Sequence, residues 1–519
     1  MKRVVVERNR YFDSVFLMRI SHELEQRPNV VDAIVAMGTP ANLANLANAG
    51  YTLDDAREST ISHVRDEPAG AIHANDVVIA IEAATDEAIK EAKAHLARLL
   101  AGRTSEAEGR STASPTTLAE AIETQPTLNL ALISVPGTYA AREARRALRH
   151  GLHVMLFSDN VAVDEEIALK DEAVERSLLM MGPDCGTAIL NGTPLGFANV
   201  VQRGSIGIVG ASGTGLQEIS SLIHRLGGGI SQAIGTGGRD LSGPVGGRMT
   251  RFGIAALADD PDTNVLVVVS KTPAPAVADR VLDALRSAGK SAVVHFVAGG
   301  ERTDEDTIRF APTLEDTARV ACAQADAAAR DTDLPDSLPA VVRSDGSVRG
   351  LFCGGTLAQE AWDVLRRAGI EVWSNVAATE SLRIEPGAHR AGHVVWDLGD
   401  DAFTVGTPHP MIEPSLRDEK VAACGDDGSV GIVLADCVLG YGAHPDPAGS
   451  LAAAAERAMQ AAARAGRTLR IVASVTGTNE DPQHRDRQVA ALTEARVLVA
   501  PSNAAAARWT AAALTGGTR

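Results

Sequence analysis

Glycine-rich turns carry the residues with which this chain could hold an anion. Residues 206–215 read "IGIVGASGTG", a short apolar strand and a turn, and a helical stretch follows at residues 216–226. In such a unit the glycines let the backbone approach a ligand, while free N–H groups and the helix dipole favour negative charge. Ser212, Gly213 and Thr214 fit that role. The same residues could equally form a tight turn in which Ser212 or Thr214 caps the helix. The turn is no P-loop, because no Gly-Lys-Ser/Thr follows, and its spacing is not that of the dinucleotide fingerprint. Residues 349–357, "RGLFCGGTL", repeat the order of strand, turn and helix, with Gly354, Gly355 and Thr356 in the turn, so a duplicated domain is expected.

A further run, residues 235–247, "GTGGRDLSGPVGG", holds Arg239 and Asp240. It could close over a ligand, or form a surface loop with an Arg–Asp ion pair. In "MGPDCG", residues 181–186, Asp184 and Cys185 fall at the carboxyl end of a parallel sheet, the edge that ligands prefer. Cys185 has no histidine nearby in sequence to activate it and reads as a packed cysteine. Asp397, Asp400 and Asp401 in "DLGDD", with His409 and Arg417 in "HPMIEPSLR", gather in turn-prone sequence of the kind that carries chemistry. His409 is held extended between two prolines, which suits a directed donor or acid, although an isolated histidine is more often structural. No His/Cys spacing points to zinc. The three aspartates could hold magnesium but more often cap helices, so no bound metal is expected.

The elements that must position these residues read as α/β throughout. Strands separated by helices imply parallel sheets, and the near-continuous apolar runs 206–209, 265–269 and 292–296 fit strands covered on both faces. With 519 residues, three or four domains are expected. The segment 1–101 forms a small α/β domain and 102–127 a linker, and 128–203 and 204–325 form two further domains. A second linker, 326–346, precedes a last domain, 347–519. Only 3% of residues are aromatic and the formal net charge is −17, which leaves few stacking platforms and the wrong sign for a nucleic-acid partner. Five widely spaced cysteines build no disulfide framework. The first 19 residues scatter charges through their apolar positions, and no stretch of 18 apolar residues follows. A cytoplasmic location away from membranes is therefore expected.

These motifs carry a resemblance. Between residues 130 and 247, "VPGTYAAREARRAL", "MGPDCGTAILNGTPLGFANV", "GSIGIVGASGTGLQE" and "IGTGGRD" resemble the α-subunit of succinyl-CoA synthetase. From residue 348 onward, "GLFCGGTLAQE", "VVWDLGDD", "GIVLADCVLGYG" and "VASVTGTNED" resemble the last domain of that enzyme's β-subunit. Over the whole length, including "DSVFLM" and "MGTPAN", the chain is similar to the FdrA group of acyl-CoA synthetase-like proteins. The resemblance implies a CoA-binding Rossmann-like domain at 128–203 and two flavodoxin-like ligase domains after it. It also implies an anion site between two helix N-termini. One carries Ser212, Gly213 and Thr214. The other carries Gly440, Tyr441 and Gly442, with Gly354 to Thr356 nearby.

Two departures bear on the activity. The family's phosphohistidine loop is here "VAGGERTDED", residues 297–306, without histidine; His295 falls inside the preceding strand. The nucleotide-grasp domain of the β-subunit has no counterpart, so the chain alone is not expected to complete an ATP-dependent synthesis. The FdrA group is associated with ureide breakdown, where such a subunit looks like part of an oxamate carbamoyltransferase. The leading expectation is therefore a subunit that binds carbamoyl phosphate at Ser212 to Thr214. Arg239, Asp240, His409 and Arg417 would orient the acceptor amide, and Asp184, Asp397, Asp400 and Asp401 would line the substrate side. The alternatives are an acyl-CoA ligase subunit completed by a separate grasp-domain protein, and a non-catalytic scaffold. Other subunits and further copies of the chain are the expected partners, and CoA is a possible ligand.

Overall fold

The computed structural model describes residues 1–8, 12, 14–39, 42–43, 46–47, 49–51, 72, 76–108, 115–325, 343–404 and 408–516. They form two compact units, residues 1–116 with 405–408, and residues 117–404 with 409–519.

In the first unit, β1 (Lys2–Glu7), α1 (Ser14–Glu25), β2 (Val30–Met37), β3 (Val77–Ala83) and α2 (Asp86–Glu108) make an antiparallel sheet of order β1-β3-β2 with two helices. Alternation along the strands splits the apolar residues between two faces. Val5, Val35, Ile79 and Ile81 pack with Leu17, Leu24 and Leu96 of the helices. Val4, Val6 and Val78 pack instead with Leu46 and Tyr51. The stretch expected as a linker at 102–127 carries the last turns of α2 and all of α3 (Leu118–Thr124), whose N-cap Thr117 accepts the Glu120 N–H. Most of the second expected linker, 326–342, lies outside the described residues.

The second unit holds three sheets. The first consists of β4 (Leu130–Ile133), α4 (Gly137–Arg149), β5 (His153–Leu156), α5 (Val163–Glu175) and β6 (Met180–Met181), three parallel strands in order with their crossover helices. The second begins with a hairpin, β7 (Thr187–Leu190) and β8 (Thr193–Gly196), ahead of the expected start at residue 204. It continues through β9 (Arg203–Ala211), α6 (Gly213–Arg225), β10 (Ile230–Gly235), α7 (Arg248–Asp259), β11 (Val265–Ser270), α8 (Pro275–Ala288), β12 (Ser291–Phe296), β13 (Ile308–Phe310) and α9 (Leu314–Gln324). Its order is β13-β12-β11-β9-β10-β7-β8.

The third sheet is entirely parallel. It contains β14 (Ser347–Phe352), α10 (Gly355–Arg367), β15 (Val372–Ser374), β16 (His393–Asp397), α11 (Asp401–Thr404), α12 (Ser415–Ala423) and β17 (Val430–Val438). It ends with α13 (Pro447–Arg464), β18 (Arg470–Thr476), α14 (Arg485–Glu494), β19 (Leu498–Ala500) and α15 (Asn503–Thr515), in the order β15-β16-β14-β17-β18-β19. The runs β10-β9-β11-β12-β13 and β16-β14-β17-β18-β19 share one doubly wound order. In each, the order reverses beside the strand that leads into a glycine-rich turn, and a crevice opens at such a reversal.

The two halves are locked through their equivalent helices. Helices α6 and α10 share the pattern Gly-Thr-x-x-Gln-Glu, at Gly213 to Glu218 and Gly355 to Glu360. One apolar cluster joins Leu216, Ile219 and Leu314 of the first half to Leu357, Trp362 and Ala505 of the second. The glutamates cross over. Glu360 accepts the Leu314 N–H at 2.7 Å and so caps α9, while Glu218 accepts the Asn503 N–H at 3.1 Å and caps α15.

Burial pushes Glu360 up to about 8. A carboxyl raised in the folded state stabilises the fold below its unfolded value, and this contribution is lost as pH rises towards 8. Glu360→Gln should keep an acceptor for the Leu314 N–H and flatten that dependence, because an amide at this position does not titrate. Urea unfolding of wild type and variant between pH 4.5 and 8 checks this. The wild type should lose on the order of a few kcal/mol across the window, and the variant distinctly less.

Candidate functional site

Two helix N-termini meet where the crevices of the second and third sheets face each other. Ser212 is the N-cap of α6; its Oγ accepts the Gly215 N–H at 3.1 Å and lies 2.6 Å from Thr356 Oγ1 in the first turn of α10. A Cβ on Gly354 would stand 2.9 Å from the Thr214 side chain, so only glycine allows the two turns to approach this closely. The Asp436 carboxylate fixes the second turn by accepting the N–H groups of Cys353 and Gly354 at 2.7 and 2.8 Å. Ser212 and Thr356 are buried, whereas Gly213, Thr214 and Gly355 keep partial exposure. First-turn N–H groups have no partner within their own helix, and both dipoles present their positive ends here.

Charged side chains complete the site. Lys271 follows β11 directly, and its Nζ lies 3.2 Å from where a Cβ on Gly355 would stand; that Cβ would also collide with the Asp397 carboxylate. Among the described residues Lys271 makes no ion pair within 4.0 Å. Asp184 sits in the loop after β6, with its carboxylate against Gly238. Burial pushes Asp397 up to about 6, against the opposing charge of Lys271, while Asp184 is exposed. Burial, and then the neighbouring Asp159 and Asp400, also raise Asp401. Asn375 ties the acidic turn together, donating to Asp397 O at 3.0 Å and to the Asp400 carboxylate at 3.3 Å. Arg239 stands at the rim, its half-exposed guanidinium 2.9 Å from Glu166.

Several expected residues lie in other roles. Arg417 is 1% exposed and spends its donors on Asp418, Asp436 O and Pro447 O, so it braces α12 against β17 and cannot orient an acceptor. Asp240 is fully buried; it accepts from Lys170 at 2.8 Å and from the Met249 and Thr250 N–H groups, which makes it the cap of α7. His409 packs against the Phe197 ring and Gly399, and burial pushes it down to about 4, leaving a neutral imidazole at pH 7. Gly440, Tyr441 and Gly442 form a turn against residues 197–199, and the next helix starts only at Pro447, capped by Asp446. The helix end that abuts Thr214 is therefore that of Gly354 to Thr356. His295 is buried in β12 with Nδ1 2.9 Å from Ala311 O.

Lys271, Asn375 and Asp436 were not expected from the sequence. A cation directly behind the fully buried strand "VLVVVS" is the signal that could have drawn attention to Lys271. Gly355→Ala should weaken inorganic phosphate binding roughly tenfold, because the new methyl group would displace Asp397 and Lys271. Calorimetric titration against the wild type checks it.

Two doubly wound domains that meet at paired glycine-rich helix ends define a protein of the CoA-ligase class. Comparison with known proteins agrees. The family described as CoA-ligase matches residues 351–513, the CoA binding domain matches residues 201–299, and the AllF heavy metal-associated domain matches residues 1–116. The protein YahF of Escherichia coli (strain K12) is 41% identical over 513 residues, 96% of each chain. The α-subunit of ADP-forming succinate–CoA ligase from Aquifex aeolicus (strain VF5) is 30% identical over 149 residues, covering 28% of this chain and 48% of that one. The SqwL subunit of an ADP-forming sulfoacetate-CoA ligase from Acholeplasma sp is 23% identical over 151 residues, covering 28% and 50%. The match thus spans about half the length of these ligase subunits. The chain belongs to the FdrA-like family of acyl-CoA synthetase-like proteins.

Residues 1–116 contain no cysteine, and among the described residues no three His, Cys, Asp or Glu side chains stand together as a metal group. Among the described residues, no helix is long and apolar enough to cross a membrane.

Proposed function

We propose that the chain is a CoA-ligase-type subunit that binds the phosphoryl group of an acyl phosphate at the first turns of α6 and α10. The observation that supports this reading most is the convergence on the partly exposed Gly213, Thr214 and Gly355 of two positive helix ends and of Lys271, which among the described residues makes no ion pair within 4.0 Å. Phosphoryl oxygens would take the N–H groups of these turns and the Lys271 ammonium. In the transfer, a thiol such as that of CoA attacks the acyl carbon, the C–S bond forms, and the C–O bond to phosphate breaks. The leaving phosphate keeps the electron pair, and the thiol proton passes to a carboxylate. Asp397, poised near 6, stands beside Lys271 for that role. The developing negative charge on phosphate is what the helix ends and Lys271 stabilise. The matched relatives are named as subunits, which supports a partner chain that completes the enzyme.

A second reading keeps the same site and changes the acyl group. The loop at residues 297–306 holds no histidine to carry a phosphoryl group, which favours a reaction that starts from a ready-made acyl phosphate such as carbamoyl phosphate. An amide of the oxamate type would then be the nucleophile. Both readings are tested in one experiment: the chain, alone and with its co-purifying partners, is given an acyl phosphate with CoA, or carbamoyl phosphate with oxamate. Phosphate release that depends on CoA supports the ligase reading, and release that depends on oxamate supports carbamoyl transfer. Release with neither acceptor in any mixture would leave only the scaffold reading.

A further inference from the structure

A cavity of 560 Å³ opens between α5, the loop of residues 243–246 and the helices α7 and α8. Its walls include Asp171, Val174, Arg248, Arg251, Phe252 and Arg280. Three guanidiniums thus face one carboxylate, in a chain whose net charge is −17. Asp171 takes the Nε of Arg248 at 2.6 Å, and Arg248 Nη1 donates to the Pro244 and Val245 carbonyls. Arg251 makes a long contact, 3.3 Å, to Gly247 O, and among the described residues Arg280 forms no ion pair within 4.0 Å.

The guanidiniums also converge. A point one bond from the Gly246 Cα lies 3.3 Å from Arg248 Nη1 and 3.4 Å from Arg280 Nη2. Gly246 has φ +74°, a conformation that keeps a side chain out of this space. Arg248 is braced by Asp171 and by the Pro244 and Val245 carbonyls, so Arg251 and Arg280 supply the cavity's less occupied donors, and guanidinium forks match phosphate oxygens. The remaining wall is apolar, with the half-buried Phe252 ring beside Val174, which is 40% exposed. The volume falls in the range of roughly 300–1,000 Å³ typical of small-molecule sites.

We infer that this cavity binds a small molecule carrying a di- or polyphosphate, with Arg248, Arg251 and Arg280 on the phosphates and Phe252 and Val174 against its apolar or ring portion. The site is distinct from the one at Lys271 and does not rest on the acyl-phosphate reading. Titration calorimetry of the full chain with ADP and with pyrophosphate tests it, using the wild type, the double variant Arg251→Ala/Arg280→Ala and the single variant Lys271→Met. The two arginines are exposed, so the double variant should fold, and circular dichroism verifies that. Both probes should bind the wild type, at least about tenfold more weakly the double variant, and within about twofold of wild type the Lys271→Met protein. Absence of binding by either probe at millimolar concentration overturns the inference. So does binding that survives in the double variant and is lost in Lys271→Met, a result that would instead support the Lys271 site.

Discussion

Replacing Lys271 by methionine is expected to lower phosphate release from the acyl phosphate at least about a hundredfold, while the urea unfolding transition stays within about 1 kcal/mol of wild type. Lys271 stands at the mouth of the site beside Gly355, among the described residues without an ion-pair partner within 4.0 Å, so little of the fold depends on it. Its charge matters most when the phosphate leaves with an extra negative charge. The loss should therefore appear chiefly in kcat, with a smaller rise in KM. A second signature follows from the neighbouring carboxylate. Lys271 holds Asp397 below where burial alone would put it. Without it Asp397 must rise from about 6, and the acid limb of the pH–rate profile should move to higher pH. A rate loss with an unmoved profile would mean that Lys271 does not act beside this carboxylate.

Lys170→Met is expected to destabilise the second unit by about 3–5 kcal/mol, the largest stability effect foreseen. The ammonium is fully buried and makes three contacts, to Glu166 and Asp240 at 2.8 Å each and to Thr236 O at 2.9 Å. Methionine fills similar space but leaves two carboxylates facing each other out of water, with only Arg239 reaching Glu166 from the rim. Asp240 also caps α7, so protonating it to relieve the repulsion would weaken the hydrogen bonds it accepts from Met249 and Thr250. Urea unfolding at pH 7 gives the number. A change below about 1 kcal/mol would show that the triad adds little to the fold. Because the triad anchors the loop that carries Gly238 and Arg239 beside Asp184, the variant should also lose activity under conditions where it remains folded.

Much of this architecture is legible in local pattern. "VLVVVS" fits a strand covered on both faces, and "GASGTG" and "CGGTL" stand where the strand order reverses. What escapes local reading is set by partners far along the chain. The hairpin at Thr187 joins the sheet behind it through the pairing of Ala233 with Ile189, which no nearby residue announces. The crossed caps made by Glu218 and Glu360 require both halves to be folded. Arg417 and Asp240 stand in turn-prone, glycine- or proline-containing sequence of the kind that carries chemistry, yet each is buried among its own hydrogen-bond partners. The Gly440 turn shares its glycines with the phosphate turns, but the helix after it is delayed to Pro447. One lysine after one strand is common, and only the fold brings Lys271 to Gly355 and Asp397.

The central claim is that an acyl phosphate binds where α6 and α10 meet. A crystal structure of the chain with a non-hydrolysable acyl phosphonate tests it most directly. Phosphonate oxygens should lie within hydrogen-bonding distance of the Gly213 and Thr214 N–H groups and of Lys271 Nζ. A phosphonate bound elsewhere, with those groups contacting only protein, would contradict it.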